Sequence, residues 1–118
     1  MENEYSEIAW ALEKPDGKFT PIKIPRGNCG EFDVKFEMLF CGVCHSDVHI
    51  GREDLGPGST KYPFVGGHEL LGKVVEVGSK VTRVKVDDHC AVGCMVDSCQ
   101  KCEHCQLGEE QYCAERCT

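Results

Sequence analysis

The chain reads as a mainly β domain with short helices and one lobe held by metal rather than by a hydrophobic core. Three observations lead there. Short apolar or alternating runs are separated by Gly, Pro, Asp and Ser turn signals, the pattern of strands rather than of long helices. No internal repeat and no low-complexity linker interrupts them. After Asp97 the apolar periodicity stops and cysteines take over, so that segment has no core of its own and a metal is the natural staple.

The elements follow in order. Ile8-Ala9-Trp10-Ala11-Leu12 is an apolar run closed by the turn signal Pro15-Asp16-Gly17. Phe19, Ile22 and Ile24 come next, with Pro21 and Pro25 among them, which marks an edge or irregular strand. Asp33 to Phe40 is the clearest strand. There Val34, Phe36, Met38 and Phe40 alternate with Lys35, Glu37 and Leu39, which predicts one buried face and one wet face. Cys44 to Ile50 fits a short helix with Ser46 or Asp47 near its start, and the glycines and prolines of Arg52 to Pro63 mark a loop. Leu70 to Val77 is rich in β-formers, and Gly78-Ser79 turns the chain into a further strand over Val81 to Val86. Another short strand is expected over Cys90 to Gly93, with Cys94 a buried strand residue.

With 118 residues the chain holds one domain and a modest core. At 28% charged and 41% hydrophobic it has the composition of a soluble globular protein. The net charge of −7 offers no basic stripe for phosphates, which excludes the nucleic-acid-binding class. No run of about 18 apolar residues is available to cross a membrane. The acidic start Met1-Glu2-Asn3-Glu4-Tyr5 is unlike an export signal, so a cytoplasmic location is expected. In that compartment ten cysteines read as metal ligands before they read as disulfides; an exported, disulfide-stapled domain is the competing reading.

Cys99, Cys102, Cys105 and Cys113 form C-x2-C-x2-C-x7-C. Four thiolates at tetrahedral corners close the coordination sphere of zinc, so such a site holds a loop and performs no chemistry. An iron–sulfur cluster is the rival occupant. His104 stands between two of these cysteines and reads as a surface histidine, and Cys117 is a weaker candidate ligand. A second constellation is smaller. Cys44 and His68 suit a catalytic zinc, which takes three protein ligands and keeps one position open, and both are flanked by glycines that allow sharp turns. Asp47 is placed to hold the second ring nitrogen of a ligand histidine, and Ser46 and His49 to pass a proton toward solvent. Singly these assignments are weak; their force is joint.

Gly67-His68-Glu69, two residues, Gly72, five residues, Gly78, two residues and Val81 resembles the signature of the zinc-containing alcohol dehydrogenases. Leu39 to His49 and the four-cysteine lobe resemble the same family in the same order. Cys41-Gly42-Val43-Cys44-His45-Ser46-Asp47 and Val92-Gly93-Cys94-Met95-Val96-Asp97-Ser98-Cys99 resemble its cinnamyl alcohol dehydrogenase branch. The resemblance implies a partly open β-barrel of the GroES type. It implies Cys44 and His68 as ligands of a catalytic zinc, with Glu69 the acid behind the metal that exchanges with solvent. It further implies Ser46 on the substrate hydroxyl, His49 continuing the relay, His45 near the cofactor pyrophosphate and Asp47 bracing His68, with Cys99, Cys102, Cys105 and Cys113 on a structural zinc. The reaction implied is reversible oxidation of a primary alcohol, cinnamyl-type or another aromatic or allylic one, to the aldehyde. NADP(H) is expected in preference to NAD(H), and a homodimer for the full-length form.

The expectation is therefore a catalytic domain over residues 1–118, with its metal lobe at about 94–118, truncated before the third catalytic-zinc cysteine, the Rossmann domain and the segment that completes the barrel. A zinc-binding module without catalysis, or an inactive truncated dehydrogenase, is the alternative. One departure from the family pattern stands out: Asp87 occupies a position where the family commonly has glycine, which points to a turn with positive φ that Asp tolerates better than most residues. His89 and Cys90, two further possible donors, read as incidental.

Overall fold

The computed structural model describes residues 5–116; Cys117 and the acidic residues before Tyr5 lie outside them. Two small antiparallel sheets make up the β structure. The first pairs β1 (Tyr5–Ala11) with β2 (Thr20–Arg26), Ala9 facing Ile22 across the ladder. Every strand of a two-stranded sheet is an edge, which is why β2 accommodates Pro21 and Pro25 without losing an inner ladder. The second sheet runs β3-β4-β5, formed by Val34–Cys41, Leu70–Val77 and His89–Val92. The helices are short: α1 covers His45–Gly51, and α2 covers Glu103–Gln106 with a 3-10 turn at Glu110–Tyr112 behind it.

The joint between β1 and the rest is specific. Leu12 exchanges two backbone hydrogen bonds with Phe64, 2.9 and 2.8 Å. A Cβ on Gly51 would come within 2.8 Å of the Leu12 side chain and 3.5 Å of the Phe64 ring, so the helix end must be glycine for these two side chains to close over it. Ala11, Leu12 and Val74 are the buried apolar residues of the β region, and Cys113 that of the lobe. The sheets do not close into a barrel, in keeping with a partly open β architecture.

Three sequence expectations need correction. The apolar face of β3 is not buried: Phe36 is half-buried, whereas Met38 is 58% and Phe40 67% exposed. Alternation reports which residues share a face, not whether a second layer covers it, and among the described residues none does. Val81 to Val86 is irregular. The ladder beside β4 resumes only at Asp87 and Asp88, which both oppose Val74 (Asp87 N to Val74 O 2.9 Å, Val74 N to Asp88 O 2.8 Å). This is a bulge whose first residue is left-handed. Asp87 has φ 76°, as the departure from glycine implied, and its carboxylate lies 2.7 Å from Lys73 Nζ. Cys94 is exposed on a bend beyond β5, because the strand ends at Val92.

Candidate functional site

Antiparallel pairing builds the first cluster. Cys41 at the end of β3 faces Leu70 at the start of β4, so the chain leaving β3 and the chain entering β4 emerge at the same edge. The Gly42 N–H donates to Glu69 O at 2.8 Å and carries the pairing one step beyond the strands. Cys44, the residue capping α1, thereby meets His68 and Glu69 although 24 and 25 positions separate them in sequence. One donor atom of each of the three lies within 4.8 Å of the others.

Helix α1 supplies the support. Asp47 Oδ1 accepts from the Gly67 N–H at 2.8 Å and stands 3.2 Å from His68 Nδ1. A carboxylate on Nδ1 keeps the proton there and leaves the Nε2 lone pair free, the arrangement found behind metal-ligating histidines. The Ser46 hydroxyl is 3.4 Å from Cys44 Sγ. That hydroxyl, then the Ser46 backbone N–H and His68, hold the Cys44 thiol below its ordinary pKa against a burial effect that raises it. His68 is pushed up, first by Cys44 and also by Asp47, with burial opposing. The lowered thiol is drawn toward the thiolate a metal requires, and a cation bound beside it would displace the proton that the raised imidazole otherwise holds.

Glycines clear the space. A Cβ on Gly42 would overlap the Glu69 carboxylate and lie 2.8 Å from its Cβ. Gly67 has φ 113°, and a Cβ there would stand 3.0 Å from Cys41 Sγ. These two positions need glycine for different reasons, one for room and one for conformation as well.

His45 and His49 occupy α1 one turn apart, with ring centroids 4.5 Å from each other. His49 Nδ1 pairs with Asp54 Oδ2 at 2.9 Å. Asp54 was not foreseen, since nothing in a lone loop aspartate marks it.

The four-cysteine lobe brings all four expected sulfurs within 4.8 Å of one another. Cys99 to Cys105 is 3.9 Å and Cys102 to Cys105 is 3.5 Å. These are far from a disulfide bond of about 2.05 Å. They bracket the edge of a tetrahedron with metal–sulfur arms of about 2.3 Å, roughly 3.8 Å. The residues thus fit a closed tetrahedral ion. Backbone N–H groups aim at the sulfurs, Cys102 N at Cys99 (3.3 Å) and Cys99 N at Cys113 (3.5 Å). The Lys101 and Cys102 N–H groups draw Cys99 down to about 6, so it ionises first. Cys102 is pushed up to about 11: the Cys105 N–H pulls it down, but the Cys105 sulfur, burial and the Cys99 and Cys113 sulfurs outweigh that pull. Four crowded sulfurs cannot all be thiolates without a cation among them. Ser98, buried and unforeseen, accepts from Gln100 Nε2 at 2.6 Å and lies 3.5 Å from Cys105 Sγ. His104 is half-exposed, with Nδ1 3.7 Å from Glu109 Oε2, and stays outside the cluster as a surface residue.

A β scaffold that stops short of a closed barrel carries a three-donor cluster at the edge of one sheet and a four-cysteine lobe, two groups that could each hold a metal ion. The chain belongs to the alcohol dehydrogenase GroES-like domain family, matched over residues 30–118. Cinnamyl alcohol dehydrogenase 2 of Rauvolfia serpentina is 46% identical over 113 residues, covering 96% of this chain and 31% of that protein. Geissoschizine synthase of Alstonia scholaris is 51% identical over 108 residues, 92% of this chain and 29% of the relative. Among solved structures, CAD from Helicobacter pylori complexed with NADP(H) superposes with a TM-score of 0.89 at 34% identity, covering 97% of this chain and 32% of that one. The chain spans about a third of the length of the curated relatives it matches. No helix among the described residues is long and apolar enough to cross a membrane.

Proposed function

We propose that this chain is the zinc-binding catalytic domain of an NADP(H)-dependent alcohol dehydrogenase that interconverts primary aromatic or allylic alcohols and their aldehydes. The observation that carries the proposal is the convergence of Cys44, His68 and Glu69 with Asp47 fixed behind the imidazole. When bound, zinc supplies charge stabilisation at the substrate oxygen and the nicotinamide supplies the hydride partner. Cys44 and His68 Nε2 are the ligands from this chain, and Glu69, over Gly42, is the donor free to swing between ion and solvent.

The remaining residues handle the proton and the cofactor. Ser46, next to Cys44, is the hydroxyl that takes the substrate proton. His49, one helical turn on, receives it at Nε2, because Asp54 engages Nδ1. His45 stands exposed in the first turn of α1, a suitable place for a contact with the cofactor pyrophosphate. Cys99, Cys102, Cys105 and Cys113 hold a second, structural zinc. The H. pylori structure with NADP(H) and the aromatic alcohol named in the Rauvolfia relative favour this cofactor and substrate class.

The test is a chimera in which these 118 residues replace the matching third of the Rauvolfia cinnamyl alcohol dehydrogenase. It is expected to bind two zinc ions per chain by native mass spectrometry and to reduce cinnamaldehyde with NADPH. Cys44→Ser should remove one zinc and the activity together. A folded chimera that carries only the lobe zinc and reduces no aldehyde, beside an active parent, would refute the proposal.

A further inference from the structure

The two metal clusters do not use every imidazole near them. His45 and His49 sit at i and i+4 of α1, on one face of the helix, with ring planes inclined by 57° and centroids 4.5 Å apart. Histidines at this spacing can bring two nitrogens to one ion, as the paired histidines of helical metal motifs do. The pair is also prepared at its second nitrogen. Asp54 Oδ2 lies 2.9 Å from His49 Nδ1, so the proton stays on Nδ1 and the Nε2 lone pair is exposed to a ligand. Among the described residues the His45 ring makes no hydrogen bond, and its ring contact is with His49. Both side chains are exposed, leaving room for water to complete the coordination sphere.

We propose that His45 and His49 form a two-nitrogen site for a borderline divalent transition ion, distinct from the Cys44–His68–Glu69 cluster. Imidazole pairs select ions of the nickel, copper and zinc type and discriminate against magnesium and calcium, which prefer oxygen. If the dehydrogenase reading holds, an ion here withdraws His49 Nε2 from proton transfer and so inhibits; binding itself does not depend on that reading.

Nickel(II) is the probe, titrated into the zinc-loaded chain by calorimetry, with paramagnetic broadening of histidine resonances as the second readout. One added ion that broadens His45 and His49 is expected. His45→Gln and His49→Gln should each weaken it about 10-fold or more, and Asp54→Asn should weaken it by a smaller factor through the lost carboxylate. His68→Gln, which removes the competing cluster, should leave nickel binding in place. Magnesium should give no heat. Nickel affinity unchanged in His45→Gln and His49→Gln, or lost in His68→Gln while His45→Gln retains it, would overturn the proposal.

Discussion

Replacing Asp47 by Ala tests the candidate catalytic cluster at its least replaceable support. One oxygen, Oδ1, holds both the Gly67 N–H at 2.8 Å and His68 Nδ1 at 3.2 Å, so a single side chain sets the approach of the loop and the orientation of the ring. Asp47 and His68 are 24% and 23% exposed, so solvent only partly screens their interaction. Loss of a carboxylate partner behind a ligating histidine typically lowers metal affinity 10–100-fold, about 1.4–2.7 kcal/mol. The Gly67 N–H, left half-buried without its acceptor, costs about a further 1 kcal/mol of stability. The assay is competition for cobalt(II) between chain and chelator, read by the visible absorption of the cobalt–thiolate site. Asp47→Ala should shift the Cys44–His68 site by that factor and leave the four-cysteine lobe unmoved; Asp47→Asn, which keeps an acceptor but loses the charge, should fall between. Affinity of the first site within twofold of wild type in Asp47→Ala would refute the bracing argument.

Other perturbations separate the two candidate metal sites and the scaffold. Cys102→Ser should lose the lobe zinc and its cooperative melting together, whereas Cys94→Ser, at an exposed bend, should alter neither; calorimetry with metal analysis reads both. Gly42→Ala places a methyl group against Glu69, and should cost about 1–3 kcal/mol or displace that carboxylate. A denaturation midpoint and a cobalt spectrum both matching wild type would count against the close fit. Asp87 is held below its ordinary pKa by the Lys73 ammonium, first through their hydrogen bond. A lowered carboxylate adds stability that is whole above its ordinary value of 3.8 and is lost as pH falls through the lowered one. Lys73 is raised above 10.5, chiefly by its hydrogen bond with Asp87, so the pair's contribution is lost again as pH rises through that raised value. Wild type should therefore melt slightly above Asp87→Asn at neutral pH, with the difference closing at both extremes; a difference that persists at pH 2 would exclude the ion pair as its cause.

Local chemistry was legible in the sequence. The spacing of Cys99, Cys102 and Cys105 can be satisfied by one tight curl of chain around one ion, so it specifies its own geometry, and β4 runs over Leu70–Val77 as its β-formers predicted. The left-handed turn at Asp87 was readable for the same reason, because φ is a property of a single residue and its neighbours. Tertiary structure decided what depends on partners remote in the chain. Cys44 meets His68 and Glu69 only because β3 and β4 pair antiparallel and open their ends at one edge, and Asp47 reaches His68 only because α1 starts there. Exposure of the β3 face and of Cys94 lay beyond sequence periodicity too, since alternation says which side chains point together and packing says what stands opposite them.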